Sequence, residues 1–80
     1  MNPASASSLP ALKAREVLRL LKQIGYQEIR RKGSHRKLAA EGRLPIGFAF
    51  HDGVEVPPHQ LRRMLVDRAG LTSAEISDLL

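Results

Sequence analysis

The chain reads as an α+β domain with the order α-β-β-β-α and a short C-terminal helix, and three observations predict it. Apolar residues recur at helical spacing from Leu12 to Ile24 and again from Leu61 to Ala69. Ile46, Phe48 and Phe50 alternate with Gly47, Ala49 and His51, the pattern of a strand with one apolar side. Glycine turns separate these stretches, and the hairpins they form make a three-stranded antiparallel sheet whose one face the helices cover.

Each element follows from local chemistry. Residues 1–8 are small and polar, contribute nothing to a core, and are expected to be a flexible tail, leaving 9–80 as a single domain. The first helix is expected to start near Lys13, with Ala14, Val17, Leu18, Leu21 and Ile24 on its buried face and Gly25 as its left-handed stop. A first strand over Tyr26–Arg31 reverses at Arg31-Lys32-Gly33-Ser34, with glycine at the position that needs positive φ. The returning strand, Ser34–Ala40, puts Leu38 and Ala40 on one side and His35, Lys37 and Ala39 on the other. Glu41-Gly42-Arg43 turns into the third strand, and His51-Asp52-Gly53 leaves the sheet. Pro57-Pro58 opens a second helix through Ala69, with Leu61, Met64, Leu65 and Ala69 as its buried stripe. Thr72 and Glu75 have capping-box spacing, Leu71 and Ile76 stand at staple positions, and a short helix closes the chain.

Composition narrows the function. Eighty residues make one domain, which buries only about 60% of the surface its unfolded chain exposes. The absence of cysteine excludes a disulfide framework and thiolate metal sites. No apolar run approaches a membrane span and Met1–Ser8 lacks the regions of a secretory signal, so a cytoplasmic protein with no membrane partner is expected. The net charge of +5 is uneven: residues 1–43 hold ten Lys/Arg against three acids (+7), and residues 44–80 hold three against five (−2). Arg30-Arg31-Lys32-Gly33-Ser34-His35-Arg36-Lys37 concentrates five cations around a glycine turn, which favours a polyanionic partner.

Within that stretch His35 is the one side chain suited to proton transfer near neutral pH. Neighbouring cations disfavour a further positive charge on its ring, so it is available to take a proton from an RNA 2′-hydroxyl while they stabilise charge developing on the phosphorus oxygens. The bland alternative is a surface histidine in a solvated basic hairpin. His51, predicted on the same open face, is a possible second acid or phosphate contact. Its alternative role is to hydrogen-bond the following turn. His59 has weaker credentials, and the three histidines lack metal-site spacing, so no metal or other cofactor is expected. Ser34 and His35 are adjacent in a strand and point to opposite faces, which argues against a nucleophilic dyad. Arg62 and Arg63 read as a solvated face, with bracketing of a nucleic-acid backbone as the alternative. With Phe48 and Phe50 spaced as core residues, a base-stacking platform is not supported.

Taken in order, these residues resemble the HicA toxins, small ribonucleases of bacterial and archaeal toxin–antitoxin pairs. The resemblance rests on Arg15-Glu16-Val17 and Leu20-Leu21, on Gly25-Tyr26, and on Arg30-x-x-Gly33-Ser34-His35. It continues through a third strand ending in His51 to Leu61-Arg62-x-x-Leu65 and Ala69-Gly70-Leu71. The chain has Ala49 where many members have proline, and Lys13 where a serine often opens the first helix. The resemblance implies a double-stranded-RNA-binding-like fold, His35 as the catalytic residue of metal-independent mRNA cleavage, and neutralisation by a HicB-like antitoxin. Arg30, Arg31, Lys32, Ser34, Arg36 and Lys37 are the expected RNA contacts. The rival reading is a non-catalytic double-stranded-RNA-binding module, against which stands a second helix that begins Pro57-Pro58-His59-Gln60 without a lysine cluster. A degenerate toxin retained for protein interaction is a third. The sequence leaves homo-oligomerisation open.

Overall fold

The computed structural model describes residues 9–51 and 53–80, and of Phe48 the backbone only. The expected tail over 1–8, the turn at Asp52 and the facing of the Phe48 side chain lie outside the described residues. The elements run β1 (Leu12–Lys13), α1 (Ala14–Gln23), β2 (Gln27–Lys32), β3 (His35–Ala39), β4 (Ile46–Ala49), β5 (Glu55–Val56), α2 (Pro58–Arg62) continued by a π-helical segment (Arg63–Arg68), and α3 (Ser73–Leu79). The main sheet is antiparallel with strand order β2-β3-β4, and the fold is the α+β arrangement the sequence predicts.

Two features go beyond that expectation. A second, two-stranded sheet pairs Leu12 with Val56 and Lys13 with Glu55. It holds the start of α1, where Lys13 occupies the N-cap without a side-chain cap, and the Ala14 N–H donates to the Val54 carbonyl at 3.0 Å. A backbone carbonyl thus replaces a missing serine or threonine. The second helix, moreover, does not run as a regular α-helix through Ala69 but widens into π-winding after Arg62.

The core lies between the helices and one face of the sheet. Val17 and Leu21 of α1, Leu38 and Ile46 of the sheet, Leu61 and Leu65 of the second helix and Ile76 of α3 meet there with Tyr26. The capping box is complete: the Thr72 hydroxyl accepts from the Glu75 N–H at 3.1 Å, and the Glu75 carboxylate accepts from the Thr72 N–H at 2.8 Å. Arg43 ties the layers together by donating to the Ile24 carbonyl (3.3 Å) at the end of α1 and to the Ala69 carbonyl (2.6 Å) at the end of the π-segment. A guanidinium placed on two helix C-termini satisfies orphan carbonyls and meets the negative ends of both dipoles. The Tyr26 hydroxyl donates to the Leu44 carbonyl at 2.7 Å, so the same loop is held from the sheet side.

Candidate nucleic-acid interface

The basic hairpin is built by a register shift. Gln27 pairs with Ala39 and Glu28 with Leu38, but the next partners are Arg30 with Lys37, Arg31 with Arg36 and Lys32 with His35. Ile29 is therefore an extra residue, a β-bulge. Tyr26 is buried and Glu28 shares the helix-covered face with Leu38. Strict alternation from Glu28 would send Arg30 and Lys32 to that same face. The bulge shifts the phase by one residue and carries both cations to the open side, leaving Ile29 59% exposed.

On the open face His35 lies opposite Lys32 on one neighbouring strand and opposite Ala49 on the other. Lys37 lies opposite Arg30 and Gly47. Arg30, Lys32, His35, Arg36, Lys37, Gly47 and Ala49 line an open cleft of about 290 Å³. Its β4 wall consists of a glycine and an alanine, so the histidine and the cations are left accessible to an extended ligand. Gly33, at φ 60°, makes the turn that joins the strands.

Arg36 borders the cleft, but its guanidinium, like that of Arg31, is engaged by Glu28. Arg31 Nε donates to Glu28 Oε2 at 3.0 Å, and an Arg36 terminal nitrogen donates to Glu28 Oε1 at 3.1 Å. The Arg36 guanidinium stands 4.4 Å from the Phe50 ring centroid, a cation–π contact, and its Nε is enclosed with no hydrogen-bond partner among the described residues. The Glu28 carboxyl is held below its ordinary range, first by the Arg31 hydrogen bond, with burial opposing and the charges of both arginines adding. The five expected cations thus divide: three stand on the open face, and two are engaged by one carboxylate. Period-two alternation carries the signal for Arg36, an even position beside Leu38. Nothing in the local sequence marks Ile29 as the extra residue.

Ser34 sits in the turn, where its carbonyl accepts the Phe50 N–H at 2.6 Å. His51 is exposed beyond the end of β4, with its carbonyl accepting the Val54 N–H at 3.0 Å, and it does not line the His35 cleft. His59 lines a second, larger groove with Arg63 and Arg68. Among the described residues no group of three His, Asp or Glu side chains could hold a metal ion, and no helix is long and apolar enough to cross a membrane.

Over residues 14–71 the sequence matches a protein-family model described as the HicA toxin of bacterial toxin-antitoxin. The match spans α1, the whole of the main sheet and the second helix, and so contains every residue of the His35 cleft. Neither a curated protein nor a solved structure gives a significant match.

Proposed function

The chain belongs to the HicA toxin family, the toxin side of bacterial toxin–antitoxin pairs with an antitoxin as partner, and on that premise we propose that it is a metal-independent endoribonuclease acting on mRNA in the cytoplasm. The observation that carries the proposal is the open cleft in which His35 is flanked by Arg30, Lys32 and Lys37. An RNA strand laid across that face meets cations for its phosphates and an imidazole for its ribose.

His35 takes the proton of a 2′-hydroxyl. The 2′-oxygen attacks the adjacent phosphorus, the bond to the 5′-oxygen of the next nucleotide breaks, and a 2′,3′-cyclic phosphate is left. Lys32 and Lys37 stabilise the charge that builds on the non-bridging oxygens. The departing 5′-oxygen takes a proton from water or from His51. A His51→Ala variant separates the two: a slowed reaction with an altered pH profile assigns the acid to His51, and an unchanged profile assigns it to water. Arg30, Lys32 and Lys37 bind phosphate directly, while Arg31 and Arg36 act through Glu28 to hold the hairpin in register. A HicB-like antitoxin neutralises the toxin by covering the same face with acidic side chains.

The test compares the parent with His35→Ala. The expected result is loss of RNA cleavage and of growth arrest with an unchanged circular dichroism spectrum and melting temperature, because His35 is exposed and outside the core. Cleavage by the parent should survive a chelator. Cleavage by His35→Ala at the parent rate sinks the mechanism. Tight, length-dependent binding to duplex RNA, with no cleavage of single strands by the parent, favours the non-catalytic module instead.

A further inference from the structure

The groove beside the His35 cleft lies between β4, the outer strand of the sheet, and the second helix, and it has a volume of about 540 Å³. It shares Lys37 and Gly47 with the cleft, so the two adjoin at those residues. On the helix side its polar lining is His59, Gln60, Arg63 and Arg68. Both arginines are exposed, and among the described residues no carboxylate lines the groove.

The helix reaches this lining through its π-helical segment. At 3.6 residues per turn, Asp67 would stand only about 40° around the helix from Arg63, whereas Arg68 would stand about 140° away. The segment is instead closed by the Ala69 N–H donating to the Met64 carbonyl at 2.9 Å, five residues back. That wider turn swings the residue five positions on back towards the same side. Arg68 lines the groove with Arg63, and Asp67 is not among the lining residues.

The strand side supplies backbone. The Phe50 N–H donating to the Ser34 carbonyl fixes the phase of the β3–β4 ladder. By the alternation of antiparallel pairs, Gly47 and Ala49 then aim their N–H groups away from β3, along the free edge. Of these, Gly47 lines the groove; its N–H, beside its own outward carbonyl, adds one backbone donor to the two guanidinium groups available to a phosphate.

We propose that this groove is a second RNA subsite, holding the backbone of the strand that leaves the His35 cleft, with Arg63 and Arg68 on its phosphates. The proposal rests on the ribonuclease reading and adds where the substrate runs beyond the cleaved bond. It also makes the substrate an extended single strand: a groove that takes one backbone along a sheet edge suits a strand able to follow it.

The test uses the full chain carrying His35→Ala, so that RNA remains intact, and fluorescence anisotropy with a labelled single-stranded RNA of about twelve nucleotides, a length within reach of one small fold. A trinucleotide that fills only the cleft is the second probe. Replacing Arg63 and Arg68 together by alanine should weaken the long RNA many-fold. It should also lower the slope of log affinity against log salt by about 1.4, at ~0.7 for each phosphate no longer neutralised. Trinucleotide binding should change little. Arg62→Ala removes one charge from the same helix outside the groove and should leave both affinities near the parent's. An Arg63/Arg68 variant that binds the long RNA as the parent does, or an equal loss with Arg62→Ala, overturns the groove while leaving the ribonuclease reading intact. A groove that serves only an acidic antitoxin segment gives that first outcome. The ribonuclease reading fails separately, if the chain with His35 intact leaves the same RNA uncut.

Discussion

Glu28 is the residue on which the two faces of the hairpin depend. One carboxylate accepts from Arg31 and from Arg36, and the Arg36 side chain is only 15% exposed. Glu28→Gln removes the charge and leaves a half-enclosed guanidinium uncompensated, so the variant should unfold at lower urea than the parent. The depressed titration of Glu28 gives this a pH signature. A carboxylate depressed in the folded state stabilises fully above its unfolded-state pKa, and that contribution disappears as pH falls through the folded-state value. Parent stability should therefore decline on acidification through and below the ordinary carboxylate range. Urea titrations of Glu28→Gln over the same range should show a smaller decline. Glu75, lowered chiefly by its backbone hydrogen bond to Thr72, titrates in the same direction and accounts for part of what remains.

Among the elements, the bulged strand β2 and the loop after β3 give the sharpest expectations. Because Glu28 and Arg30 face successive partners on β3, deletion of Ile29 should leave a regular ladder with every cation on its present side. That variant should fold and retain RNA affinity within a few-fold in anisotropy. Deletion of Arg30 instead should have a larger effect, because Ile29 then takes the place of a cation. Arg43 is the other point of leverage, since it closes the ends of both α1 and the π-segment. Arg43→Ala frees partly buried carbonyls and removes a charge from two helix C-termini, a loss of about 1–3 kcal/mol by chemical denaturation. Periodicity locates both helices and both hairpins. It is blind to the bulge, because one inserted residue leaves no trace in composition, and to the short β1–β5 pairing, whose two-residue strands are too brief to show alternation.

For the whole molecule, the charge distribution bears on the proposed partners. The three cations exposed on the open face stand in the first half of the chain, where the excess positive charge lies. Arg63 and Arg68 come from the half whose net charge is −2, and the fold sets them in a groove with Lys37. RNA and an acidic antitoxin should then compete for these adjoining surfaces. A cognate antitoxin should displace labelled RNA, and its affinity, measured by calorimetry, should fall as salt rises. A complex that leaves the His35 face open to RNA contradicts this mode of neutralisation.

Taken alone, the sequence determines the element order, the turn glycines, the capping box of α3 and the placing of His35 and Lys37 opposite Leu38. Each depends on neighbours within a few residues, and a period of two or of 3.6 records it directly. Tertiary structure decides which cations remain available: a bulge brings Arg30 and Lys32 to the open side, Glu28 engages Arg31 and Arg36, and a π-turn carries Arg68 to the groove. These outcomes turn on shifts of a single residue in phase, set by packing between distant segments, and the local pattern of residue types does not encode them.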